Sequence, residues 1–154
     1  MAVYYIPLVA GVVLAVSAFL PWVNVEGVAM RGVPDIPGLW IAGLGVFAAV
    51  LATLSLITRK NSRHPLLLVG LVALGILFLS WRILPQSAGQ RALTVSQAFA
   101  IVENRPIGEA PVAVVGSGIY LGLFASLVIT AFGLTIVVKR AQTPYTVVSA
   151  DDDV

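Results

Sequence analysis

Few side chains in this sequence could do chemistry. Glu103 and Glu109 flank a loop turn, and a carboxylate pair of this kind can work as general acid and base. To act, they would have to converge with Arg82 or Arg91 on a cleft. His64 is the only histidine and cysteine is absent, so no sulfur ligand or thiolate nucleophile exists. One imidazole in the basic link Thr58-Arg59-Lys60-Asn61-Ser62-Arg63-His64 does not make a metal site without several carboxylates beside it. Either it is a solvated interfacial group or its titration is read by something else. The hydroxyls within apolar stretches are Ser17, Thr53, Ser55, Ser80, Ser126, Thr130 and Thr135. None has a His or Lys placed to activate it, and such hydroxyls usually bond their own helix backbone.

The elements that would carry these groups follow from composition. Of 154 residues, 59% are hydrophobic and only 10% are charged, and the mean hydropathy is +1.01. A soluble domain carries about 25% charged residues to cover its surface. The excess of apolar residues marks an integral membrane protein and excludes a disordered chain. Nine Lys and Arg against seven Asp and Glu give a net charge of +2 without a clustered basic face, which excludes a nucleic-acid partner.

Four charge-free stretches run from about Tyr4 to Val23, Gly38 to Ile57, Pro65 to Leu84 and Gly116 to Val138. About 20 residues at 1.5 Å each cross the ~30 Å hydrocarbon core, and a chain in lipid must satisfy its own backbone, so each is expected as a helix. The expected fold is an all-α membrane protein, a four-transmembrane-helix bundle over residues 1–140. Val16-Ser17-Ala18 looks like a signal cleavage site, but no Lys or Arg precedes it, which favours a retained first span. Residues 141–154, ending Asp151-Asp152-Asp153-Val154, are expected as a disordered acidic cytoplasmic tail.

No ionisable group lies deep in any span. Such groups mark pumps, proton-coupled transporters and intramembrane proteases, so these are disfavoured. Arg59, Lys60, Arg63, Lys139 and Arg140 are concentrated in short segments on one side. Arg31, Arg82, Arg91 and Arg105 are spread over longer loops on the other. The positive-inside rule then puts both termini in the cytoplasm of a cell (inner or plasma) membrane. Trp22, Trp40, Trp81 and Tyr120 all fall at the outer face, with Arg82 beside Trp81, and read as interfacial anchors. Tyr4 and Tyr5 sit at the inner face. Arg82 either reaches to headgroups or pairs with Glu26, Asp35, Glu103 or Glu109.

Span four carries Gly118, Gly122, Ser126, Thr130 and Gly133 along one helical face, and span two carries Gly38, Ala42, Gly45, Ala49 and Thr53. Span one offers Gly11, Ala15 and Ala18. Such stripes let backbones approach closely, either within the bundle or against another subunit. Span three is richest in Leu and Phe on its surface and is expected to face lipid. Gly38-Leu39-Trp40-Ile41 and Gly118-Ile119-Tyr120-Leu121 open spans two and four alike, which fits a duplicated hairpin or shared interfacial chemistry.

The outer loops predict a small extracytoplasmic cap. Residues 23–31 alternate around Gly27 like a short β-hairpin. Asp35 and Pro37 suit the start of the second span. Thr94-Val95-Ser96-Gln97 reads as a capping box, opening a short interfacial amphipathic helix with Val95, Ala98, Phe99 and Val102 on one face. Pro106 and Pro111 end it, and Val112 to Val115 are placed as a strand beside the first loop. The cap is either a packing lid or a recognition surface.

Phe19-Leu20-Pro21-Trp22-Val23, Pro34-Asp35 and Gly116-Ser117-Gly118-Ile119-Tyr120-Leu121 together resemble a pattern in small four-helix bacterial membrane proteins. The resemblance covers most of the chain and implies the four-span topology. Pro21-Trp22 and Gly38-Leu39-Trp40 also resemble claudin-like proteins in architecture. The paired cysteines of the claudin loop are missing, and Gly-Leu-Trp here opens the second span. The function expected is non-enzymatic, an accessory or assembly subunit of a larger membrane complex, without cofactor or metal. Its partners would be the lipid bilayer and other membrane subunits. The alternative is a homo-oligomeric channel or transporter-like protein for small neutral or lipid-like solutes. An enzyme at the outer interface comes third.

Overall fold

The computed structural model describes residues 2–58, 62–106, 109 and 111–141. A short 3₁₀ turn, Ala2–Tyr4, leads into α1 (Tyr5–Ser17), followed by β1 (Pro21–Val25) and β2 (Val28–Arg31). Then come α2 (Ile36–Thr58), α3 (Arg63–Glu103), β3 (Ala113–Val115) and α4 (Ser117–Ala141). The chain is mostly helical, and three of its helices, α2, α3 and α4, are long and apolar enough to cross a membrane. Residues 142–154 of the expected tail, and residues 59–61 of the basic link, lie outside the described residues.

The helices form a ring in which α1 packs on α2 and α4, and α3 on α4 and α2. Each buries a narrow stripe at helical spacing. In α2 it is Gly38, Ile41, Gly45, Ala48, Ala52 and Ser55. Leu14, Ile41, Leu66, Leu77, Ile119 and Ile129 fill the centre and have almost no solvent exposure. Outside, the helices present Val9, Val12, Val46, Phe47, Leu68, Leu71, Phe78, Leu79, Phe124 and Leu127. The bundle is thus apolar on its outer surface as well as in its centre.

Three expectations are corrected. The first span is expected to reach Val23, but α1 stops at Ser17. Ala18, Phe19 and Leu20 close one tighter turn, donating to the carbonyls of Ala15, Val16 and Ser17 at 3.3, 3.0 and 3.3 Å. Pro21 then blocks continuation, because proline lacks an N–H and disfavours the helical conformation in the residue before it. Pro21-Trp22-Val23 become β1 instead. Second, the fold is not all-α: β1 is the central strand of a three-stranded sheet of order β2-β1-β3. The hairpin and a strand near Val112 to Val115 beside it are both expected from the sequence; the start of β1 at Pro21, inside the expected first span, is not. Val23 faces Met30 on one side and Val115 on the other, both antiparallel.

Third, the interfacial amphipathic helix is not a separate element. It is the upper half of α3, which runs unbroken for 41 residues with Pro85 inside it. At 1.5 Å per residue this is about 60 Å, about twice the thickness of a hydrocarbon core. Thr94 does not cap a helix start. Its Oγ1 donates to the Gln90 carbonyl, 2.9 Å away, within a continuing turn. The residues before it, Ala88 to Leu93, are mostly good helix formers, and Ala88 is anchored against Val23 and Val25 of the sheet. Propensity and packing together outweigh the capping pattern. The helix ends at Asn104 in the left-handed conformation (φ 52°), with the Arg105 N–H closing back on the Ala100 carbonyl at 2.9 Å.

The hairpin turn carries the other backbone departure. Glu26 (φ 48°) and Gly27 (φ 83°) form a two-residue connection with both φ positive, the mirror-type turn that matches strand twist. Glycine adopts this freely and glutamate does not. Glu26→Gly is therefore expected to stabilise the fold, or leave it unchanged, by about 0–1 kcal/mol, while Gly27→Val destabilises it by about 1–2 kcal/mol. Thermal melts of the two variants in one detergent would check the sign of each.

Candidate interaction surface

The small-residue stripes fix how the helices meet. Gly118, Gly122, Ser126, Thr130 and Gly133 are all buried, facing α1 and α3. A methyl built on Gly122 would lie 2.9 Å from the Ser17 hydroxyl and 3.0 Å from Leu77. One on Gly133 would meet the Leu67 backbone, and one on Gly70 the Thr130 backbone. In α2, Gly38 and Gly45 are buried, Ala42 and Ala49 are half-buried, and Thr53 is exposed. Gly45 presses on the backbone of Ala15, and Gly11 on that of Ala49. Between packing inside the bundle and contact with another subunit, the glycine stripes are occupied by packing inside.

The anchors divide. Trp40 and Tyr120 are 61% and 55% exposed at the sheet end of the bundle, and Trp81 is half-buried 5.9 Å from Phe78. Trp22 is the correction: it is 2% exposed and belongs to the core. Its Nε1 donates to the Ser17 carbonyl at 3.0 Å, a second bond on an acceptor that the Leu20 N–H also meets where α1 ends. Gly32 and Gly118 press on the indole, so both turns around it lack side chains. The Trp22 carbonyl accepts from the Gly116 N–H at 2.7 Å. Pro21 is the local signal for this pillar; the glycines that shape its slot are distant in sequence. At the opposite end Tyr4 is also buried, edge-on to Phe132 with centroids 5.2 Å apart, and the Arg63 guanidinium lies 5.5 Å from the same ring.

The upper half of α3 and the sheet form a platform beyond the bundle. Ala88, Leu84 and Ala92 pack on Val23, Val25 and Ala113, so the helix covers β1 and β3. It leaves β2 bare: all four of its residues are exposed, including Val28 at 67%. Met30 pairs with Val23 and Val28 with Val25, which puts both on the sheet face that α3 half covers. Between β2 and α3 runs an apolar groove of about 520 Å³, walled by Val28, Met30, Val95 and Phe99, with Glu26 and Arg91 at its rim. Below it a cavity of about 30 Å³ lies among Trp22, Arg31, Asp35 and Arg91, room for about one water.

The groups singled out for chemistry do not converge. Glu103 pairs with Arg105 at 3.2 Å, both exposed, six residues before Glu109. Arg82 is exposed, and none of Glu26, Asp35, Glu103 or Glu109 pairs with it. The hydroxyls of Ser17, Thr53, Ser126, Thr130 and Thr135 donate to carbonyls three or four residues back, at 2.7 to 2.9 Å. Ser55 instead donates to the Ser62 hydroxyl at 2.6 Å, tying α2 to the start of α3. The Asp35 carbonyl accepts the Leu39 N–H at 3.0 Å, opening α2, with Pro37 in the first turn. No group of three metal-ligating side chains occurs among the described residues. Comparison with protein-family models, curated proteins and solved structures gives no match to this chain.

Proposed function

We propose that this chain is a non-enzymatic integral membrane protein that serves as an accessory or assembly subunit of a larger complex. The bundle sits in the bilayer with both termini cytoplasmic, and the sheet and upper α3 stand in the extracytoplasmic space. One observation carries the reading. Helix α3 is about twice as long as a bilayer crossing needs, and its overhang exposes Val95, Phe99, Ile101 and Val102 at 56%, 62%, 74% and 83%. Inside a bilayer such exposure is ordinary. Beyond it, large apolar side chains this exposed mark an interaction site. The apolar outer surface of the bundle and its three shallow furrows of about 390 to 420 Å³ suit acyl chains. The filled centre weighs against a pore through one copy, which the channel alternative would need either here or between copies.

The test is native mass spectrometry after gentle extraction from the chain's own membrane, comparing wild type with Ile101→Glu. Co-migrating heterologous subunits, lost or reduced in the variant, are expected. A species holding only this chain, unchanged by the substitution, would overturn the accessory-subunit reading.

A further inference from the structure

We infer that the groove between β2 and the overhang of α3 is filled by the overhang of a second copy, so that the working unit is a two-fold dimer. The inference rests on the membrane placement proposed above. The sheet is three strands wide, and one helix covers about two of them, since packed helices lie 8–10 Å apart and strands about 4.8 Å. The uncovered strip, Val28 and Met30, is therefore shaped for one more helix. The chain has an apolar helix face to offer. Ala88, Ala92, Val95, Phe99 and Val102 follow one another at intervals of four, three, four and three, the spacing of a two-stranded coiled seam. Its lower members, Ala88 and Ala92, already pack on the sheet, and its upper members continue past the sheet uncovered.

Membrane embedding fixes the symmetry. Two copies in one bilayer are related by an axis along the membrane normal, so their α3 helices run parallel and residues at one height meet. Glu26 and Arg91, of opposite charge, both line the groove that the second overhang enters. In such a dimer Glu26 of one copy faces Arg91 of the other, twice over, as an isologous interface requires. The interface lies outside the small-residue stripes, which the bundle uses internally.

The absence of cysteine makes the test direct. Single cysteines at Val95, Phe99 and Val102, and at Thr94, Gln97 and Ile101, are oxidised in purified full-length protein reconstituted in nanodiscs. Disulfide-linked dimer is expected at the first three, about tenfold above the second three, because a 3.6-residue period turns the latter away from the seam. Equal yields on both faces would overturn the inference. Dimer formation in nanodiscs is expected to fall about tenfold in Glu26→Arg and in Arg91→Glu and to return in the double variant. A double variant no better than either single would also overturn it. The same cysteines are then probed in native membranes. Cross-linking there only to a different protein overturns the second copy and leaves the accessory-subunit reading standing. Homodimer with no co-migrating subunit supports the dimer and sinks that reading.

Discussion

Gly45→Leu is expected to lower the stability of the bundle by about 3 kcal/mol or more, while Gly43→Leu, two residues away, changes it by no more than about 0.5 kcal/mol. Any Cβ at position 45 would stand 2.8 Å from the Ala15 Cα and from the Gly11 carbonyl oxygen. Those are backbone atoms of a packed helix, so no rotamer relieves the overlap; α1 has to move away from α2. At position 43 nothing lies within 4 Å, and leucine is a better helix former than glycine by several tenths of a kcal/mol. Thermal unfolding in a mild detergent, followed by circular dichroism, separates the two. A Gly45→Leu protein that melts with the wild type would mean that α1 and α2 do not cross at Gly11 and Gly45.

Trp22→Ala should cost about 3–5 kcal/mol, the range for removing a buried aromatic. The void would open where α1, the sheet, the turn at Gly32 and the start of α4 meet. Trp22→Phe isolates one part of that cost. It fills much of the volume but removes the Nε1 bond to the Ser17 carbonyl, which keeps the Leu20 N–H, for about 0.5–1.5 kcal/mol. Denaturant titrations should rank wild type above Trp22→Phe and Trp22→Phe above Trp22→Ala. An anchor at a membrane surface would behave differently, since phenylalanine and tryptophan are both apolar there; near-equal stability of all three would return Trp22 to that role.

The sequence made the helices legible because their signal is crude. Long charge-free runs locate α2 and α4, and the first two-thirds of the first span, to within about two or three residues, the usual uncertainty of element ends. The hairpin was legible from alternation around Gly27. The errors share one cause. At Trp22 and at Thr94 a local pattern had two meanings, and tertiary packing selected the less common one. A tryptophan at the end of an apolar run usually sits at an interface, but the glycines at 32 and 118 make a slot that accepts it. A Thr-x-x-Gln pattern usually opens a helix, but the sheet holds Ala88 and keeps α3 wound from below. Neither contact is local, so no window around the residue contains it. The candidate surface was harder still. Val95, Phe99 and Val102 were read as one face, yet the groove also needs β2, and only the fold brings Val28 beside Phe99.

The strand order β2-β1-β3 also sets a timetable. Val23 of β1 pairs with Val115, and β2, α2 and all of α3 are synthesised in between. The hairpin can form early from neighbouring residues, but the far edge of β1 stays bare until Ala113–Val115 arrive, and closing so long a loop is slow. A nascent chain that has finished three helices therefore still carries an open strand edge. The last helix and the closing strand are delivered together, joined at Gly116, whose N–H reaches the Trp22 carbonyl. Completion of the sheet thus waits until synthesis has passed α3 and reached Gly116.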